Sequence, residues 1–159
     1  MPITAAFANN TPLNASSLNA LPWGLVTVTV GGTNNLSYRS TLSNTTFTAG
    51  AGGDIANSSM TFTGISGRLY RYSIGGNAGS TLTTGWATLD IYDGASVVQK
   101  SYINMANSGG AGQFYAAYVF TSSTSKTIKA QIYSNVGQTT VGSSNNWGFV
   151  LLEDIGPST

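Results

Sequence analysis

WATLDIYDGASVVQKSYINM, residues 86–105, reads as one strand folding back on another. Trp86–Tyr92 runs into Asp93-Gly94, a strong short-hairpin signal, because glycine reaches the positive φ that tight turns between strands require. Ser96–Met105 is the return strand, rich in the Val, Tyr and Ile that suit a pleated surface. Once this hairpin is read, the flanking sequence falls into the same pattern.

Downstream, the turn-forming Asn107–Gly112 leads to Gln113–Phe120, and Ser122–Ser125 to Lys126–Tyr133, where Ile128, Ala130 and Ile132 share one face. A polar stretch then precedes a last strand, Trp147–Ile155. Upstream lie Gly24–Val30, with Val26, Val28 and Val30 on one side, a short strand near Leu36–Leu42, then Ser59–Ile65 and Arg68–Ile74. Gly75–Ser80 and Ser108–Gly112 are expected to be loops, because glycine is a frequent loop residue. Eight or nine strands at short, even intervals, with no amphipathic helix, predict an all-β, antiparallel jelly-roll sandwich of about eight strands.

Residues 1–22 differ in character. They hold three of the four prolines and no strand alternation, though Asn14 could cap a short helical turn over Ala15–Leu21. Phe7, Leu13, Leu18 and Leu21 make the segment richer in apolar side chains than disordered chain usually is. It is read as a docking arm, with residues 23–159 as the head domain.

Only 7% of the 159 residues are charged, against about 25% in ordinary globular domains. Hydrophobic residues make up 41%, enough for a core. The hydrated surface must therefore be built from Ser, Thr, Asn and Gln, which repel identical neighbours weakly and suit a subunit packed or displayed in many copies. The six basic residues are scattered and the net charge is +1, which argues against nucleic acid as a partner. No apolar run approaches the ~20 residues of a membrane-spanning helix. The N-terminus lacks the basic start and apolar run of a secretory signal.

Histidine and cysteine are absent, so the commonest general base and the thiol nucleophile are missing, and no disulfide or thiolate metal site can form. Five carboxylates remain: Asp54, Asp90, Asp93, Glu153 and Asp154. Asp90 and Asp93, three apart on a strand, and the adjacent Glu153 and Asp154 each diverge to opposite faces by strand periodicity. A glycosidase needs two carboxyl groups facing one another across a sugar. The expectation is a protein that is not an enzyme and carries no cofactor and no metal.

In Gln113–Phe120, Phe114, Ala116, Tyr118 and Phe120 point one way while Tyr115, Ala117 and Val119 point the other. A strand apolar on both sides is expected to have its outer face covered by another subunit. Tyr115, Tyr118, Trp86 and Trp147 are the candidate aromatics for a subunit interface or for stacking a ligand. Three tryptophans, eight tyrosines and abundant hydroxyl and amide side chains also keep a carbohydrate- or host-surface-binding module open as the alternative. Each tryptophan sits beside a glycine at a strand end, where packing into the core is the commoner fate.

The ending Phe149-Val150-Leu151-Leu152-Glu153-Asp154-Ile155-Gly156-Pro157-Ser158 resembles the terminal strand of minor tail, fibre and decoration-type virion proteins of actinobacterial phages. The opening is similar to theirs too, in Phe7, Leu13–Asn19 and Leu21-Pro22-Trp23-Gly24. The resemblance implies a jelly-roll head that forms a homotrimer on a capsid or tail surface, with major capsid or tail proteins as partners and host glycans as a further partner class. It implies a virion-surface location after assembly in the host cytoplasm. Many such proteins carry the domain behind a long stalk. The 22-residue arm here fits a small decoration or knob instead.

Overall fold

The computed structural model describes residues 28–30, 33–35, 37–42, 45–47, 50–80, 85–105, 111–135, 139–141 and 148–158. The arm with Phe7, Leu13, Leu18 and Leu21, the turn over residues 15–21, and Trp147 lie outside them. Thirteen strands and no helix occur among the described residues: β1 (Val28–Val30), β2 (Thr33–Asn35), β3 (Ser37–Thr41), β4 (Thr45–Phe47), β5 (Ala51–Asp54), β6 (Met60–Thr63), β7 (Arg68–Ser80), β8 (Gly85–Asp93), β9 (Ser96–Met105), β10 (Ala111–Thr121), β11 (Ser125–Ser134), β12 (Thr139–Val141) and β13 (Phe149–Pro157).

They form two sheets whose pairings are all antiparallel. The first is ordered β2-β1-β6-β11-β8-β9, with β5 also on β11; the second is ordered β3-β13-β7-β12-β4, with β10 on the other side of β7. The eight principal strands thus fall into two four-stranded rows, β3-β13-β7-β10 and β6-β11-β8-β9. Every link between consecutive members crosses from one sheet to the other except the β8–β9 hairpin, and that is the double Greek key of a jelly roll. The hairpin closes with Asp93 opposite Ser96, and Gly94 takes φ 60° at the first of the two turn positions. A β-bulge then leaves Val98 as the extra residue on β9, where the register shifts between Ile91 and Tyr92.

The alternation of each strand decides what is inside. Tyr70, Tyr72 and Ile74 of β7, Phe114, Ala116 and Phe120 of β10, and Val150 and Leu152 of β13 point in from the second sheet. Met60 and Phe62, Ala87, Leu89 and Ile91, and Ile128, Ala130 and Ile132 meet them from the first. Phe62, Tyr70 and Phe120 wedge together across the sheets with ring centroids 5.0–5.9 Å apart. Truncating any one fully buried aliphatic residue here costs about 2–5 kcal/mol, through lost burial and the cavity it leaves.

Two sequence expectations need correction. Gly75–Ser80 is not a loop: β7 continues through it, paired with β10 on one side and with β13 and then β12 on the other. Glycine belongs there because the ring of Phe149 lies where a Cβ on Gly75 would sit, at 2.8 Å, and Gly76 is hemmed in by Phe114 and Gly148. Residues 31–57 also carry more than the single short strand expected, since β2, β4 and β5 accompany β3.

Candidate functional site

The outward residues of the first sheet come together because the pairing register aligns their strands. Thr88 of β8 stands opposite Tyr102 of β9 and Tyr133 of β11. One step along, Asp90 stands opposite Lys100 and Gln131, and Gln131 opposite Asp54 of β5. Trp86 begins the same outward row on β8. Its backbone is fixed by a two-way clasp with Asn135, whose Oδ1 accepts from Trp86 N at 2.9 Å and whose N donates to Trp86 O at 3.2 Å.

Trp86, Thr88, Asp90, Lys100, Tyr102, Gln131 and Tyr133 bound a hollow of about 400 Å³ on the outer face of the sheet, with Asp54 beside it. Its aromatic rim is Trp86, Tyr102 and Tyr133, which are 40%, 74% and 41% exposed. Trp86 lies 5.9 Å from Tyr102 at 65° and 6.2 Å from Tyr133 at 38°. The rings therefore form a cornered wall rather than a flat platform. The floor is polar. Lys100 Nζ donates to Asp90 Oδ2 at 3.1 Å, and this hydrogen bond, followed by the charge of Asp90, raises the Lys100 pKa. Asp90 Oδ1 is buried with no hydrogen-bond partner. Beside it, Gln131 Nε2 donates to Asp54 Oδ1 at 2.7 Å and Lys129 Nζ reaches the same carboxylate, whose pKa falls chiefly through the Lys129 hydrogen bond.

A different surface lies across the molecule, on the outer face of the second sheet. Tyr115 and Val119 of β10 are exposed, and Leu69, Ala117, Phe149 and Leu151 are half-buried around them. An ion pair spans this face, as Arg71 Nη2 donates to Glu153 Oε2 at 2.8 Å, one on β7 and the other directly opposite on β13. The Tyr115 hydroxyl lies 3.3 Å from Ser73 Oγ.

The candidate aromatics are thus not brought together. Tyr115 faces out from the second sheet. Tyr118 faces the sandwich interior, stacked on Phe120 at 5.2 Å and near the Lys126–Asp93 ion pair at its end. Burial raises the Tyr118 pKa. Trp86 faces out from the first sheet and does not pack in the core, because Ala87, Leu89 and Ile91 hold the inward parity of β8. Asp90, Lys100, Tyr102, Gln131 and Tyr133 were not singled out as a group by sequence. Their shared outward parity was readable strand by strand, but the register that joins the strands was not.

All five carboxylates of the chain are in ion pairs: Asp54 with Lys129, Asp90 with Lys100, Asp93 with Lys126, Glu153 with Arg71 and Asp154 with Arg68. Asp90 points out of the first sheet while Asp93 lies on the core side. Glu153 and Asp154 likewise lie on opposite faces of β13. Among the described residues no cluster of three metal-ligating side chains forms, and no helix is long and apolar enough to cross a membrane.

No family model and no curated protein sequence matches the chain. Among solved structures, the vertex protein P5 of PRD1 is similar at 10% identity and TM-score 0.45, covering 82% of this chain and 83% of its own. The Eiger TNF of S. frugiperda is similar at 6% identity and TM-score 0.46, over 77% and 94%. The CBM36-1 domain of a multidomain xylanase from the hindgut metagenome of Trinervitermes trinervoides is similar at 11% identity and TM-score 0.41, over 77% and 99%. The likenesses are all-β domains too distant to carry a function to this chain.

Proposed function

We propose that this chain is a non-catalytic structural subunit of a virion surface, a capsid decoration or minor tail knob, which associates with copies of itself through the outer face of the second sheet. The observation that carries the reading is the apolar surface around Tyr115 and Val119, laid over a sheet whose inner face is already packed. Contiguous exposed apolar surface of this kind marks an interaction site. The Arg71–Glu153 ion pair on this face is satisfied within the subunit, so a second copy can cover that pair without leaving either of its two charges unmatched. The low charge of the whole chain suits the same end. The terminal Glu-Asp-Ile-Gly-Pro resemblance points to a homotrimer and to capsid or tail proteins as the structures it joins.

Residues 1–22, with Phe7, Leu13, Leu18 and Leu21, are proposed as the docking arm. Several arms per oligomer offset the entropy lost when each one orders. The test is the mass of the full chain in solution by light scattering, for the unaltered protein and for Val119→Asp. Oligomers that fall to monomers in the variant support the proposal; a monomer at every concentration overturns it. Deleting residues 1–22 is expected to leave a folded head that no longer joins the particle.

A further inference from the structure

We propose that the hollow on the outer face of the first sheet binds a neutral glycan. Three features carry this. Trp86, Tyr102 and Tyr133 give exposed ring faces set at different tilts around one depression, and such faces stack against the C–H side of a sugar ring. The depression combines these rings with a few converging polar groups, the composition of a small-molecule site. Lastly, the buried Asp90 Oδ1 has no hydrogen-bond partner, and a buried acceptor in that condition calls for a donor such as a hydroxyl.

The charges choose the class of sugar. Both carboxylates beside the hollow are matched, Asp90 by Lys100 and Asp54 by Lys129. The site therefore has no net charge to recruit a sulfated, phosphorylated or sialylated chain. It offers a carboxylate to accept from hydroxyls, an ammonium and a Gln131 amide to donate to them, and aromatic walls for the ring. The Lys100 side chain is half exposed, and it is the group that gives way to admit a hydroxyl to Asp90. An extended apolar peptide fits less well, since the floor beneath the rings is polar.

This site does not rest on the self-association reading, because it lies on the opposite sheet and a monomer carries it whole. If copies do associate through the second sheet, each hollow stays turned outward, and several weak sites on one particle act together.

The test uses the full chain titrated by calorimetry with neutral oligosaccharides built from hexose, pentose, N-acetylhexosamine and deoxyhexose units, and with sulfated and sialylated chains as the charged arm. Binding of a neutral oligosaccharide that weakens at least about tenfold in Trp86→Ala and in Tyr102→Ala, but persists in Val119→Asp, supports the proposal. Tyr102 is 74% exposed, so Tyr102→Ala leaves the fold intact, and its thermal melt verifies this. The proposal is overturned if no neutral oligosaccharide binds, if only charged chains bind, or if both aromatic variants bind as well as the unaltered chain. Because Val119→Asp tests the other face, failure here leaves the self-association result unaffected.

Discussion

Arg68 and Asp154, 86 residues apart in sequence, form a bidentate ion pair at one end of the sandwich: Nη2 donates to Oδ1 at 2.6 Å, and Nε donates to both oxygens at 3.0 and 3.1 Å. The carboxylate is fully buried and the guanidinium 8% exposed. Asp154 Oδ1 also accepts from Gly156 N at 3.0 Å, across the register shift that leaves Ile155 as the bulged residue of β13. The Glu-Asp-Ile-Gly-Pro ending therefore has a structural reading. Glu153 pairs with Arg71 on the outer face, Asp154 pairs with Arg68 inside, and glycine follows the bulge at φ 123°. Removing one partner of a buried pair costs about 3–5 kcal/mol, whereas replacing both with apolar groups of similar size costs much less. Asp154→Asn and Arg68→Met are each expected to lose that amount in urea unfolding, with Arg68→Met/Asp154→Leu closer to the unaltered protein. Single variants within ~1 kcal/mol of the original would show that the pair contributes little.

Tyr72 supplies a prediction about pH. Its hydroxyl donates to Ser58 O at 2.8 Å, deep in the core, while Ser58 Oγ serves both backbone groups of Ala130 where β11 has lost its neighbour between β6 and β5. Burial holds the Tyr72 phenol far above its ordinary value of 10.0 and also raises Tyr70. Above about pH 10 the unfolded chain gives up tyrosine protons that the folded chain retains, so the unfolded state binds fewer protons and stability falls as pH rises. The contribution is complete below the ordinary tyrosine range and is lost upward through it. Urea midpoints are expected to decline steadily from about pH 9.5, with a shallower slope in Tyr72→Phe. That variant also begins lower by about 1–3 kcal/mol, because the Ser58 carbonyl loses its donor. Parallel slopes for the two proteins would remove Tyr72 as the cause.

Gly64 follows β6 where the chain passes the Ser122–Thr124 turn, and its N–H donates to Thr124 O at 3.0 Å. A Cβ there would lie 2.5 Å from both Ser122 O and Ser122 Cβ. Backbone on the far side cannot rotate away, so Gly64→Ala is expected to cost about 1–3 kcal/mol by overpacking. Gly79 is the control, with open space around its Cβ position. A thermal melt that ranks Gly79→Ala below Gly64→Ala contradicts the contact.

Period two made much of the sandwich legible. It set Phe114, Ala116 and Phe120 on one face and Tyr115 and Val119 on the other, and it put Ile128, Ala130 and Ile132 on a single face, because a strand writes its two faces into alternate residues. With both faces of β10 partly apolar, it left open which of them is the core. It also separated Glu153 from Asp154. It could not carry β7 past Ile74: glycines there serve close packing by Phe149 and Phe114, and in sequence that use of glycine looks like a turn. The hollow was hidden for a different reason. Trp86, Tyr102 and Tyr133 stand on three strands whose mutual register is set by long-range pairing, and Asp90 became distinctive only when Lys100 and Gln131 were found opposite it.

Val119 gives the sharpest test of association. It is 49% exposed on β10, with Tyr115 on the same strand and face at 61%. β10 pairs with β7 alone among the described residues, so its outer face and its free edge lie on one side of the molecule. A charge introduced at Val119 stays hydrated in a lone subunit, and the β10–β7 ladder beneath it is backbone, so folding is expected to change by less than about 0.5 kcal/mol. Buried between two copies the same carboxylate loses its water beside Arg71, which stands opposite it on β7 and is already held by Glu153. That burial costs several kcal/mol, and each ~1.4 kcal/mol weakens association about tenfold. Sedimentation of Val119→Asp is therefore expected to show monomers at concentrations where the unaltered chain is oligomeric, with coincident thermal melts for the subunit fold. Val97 lies on β9 of the first sheet and is 45% exposed, so Val97→Lys should leave the mass unchanged. If Val97→Lys dissociates the oligomer and Val119→Asp does not, the copies meet through the first sheet instead.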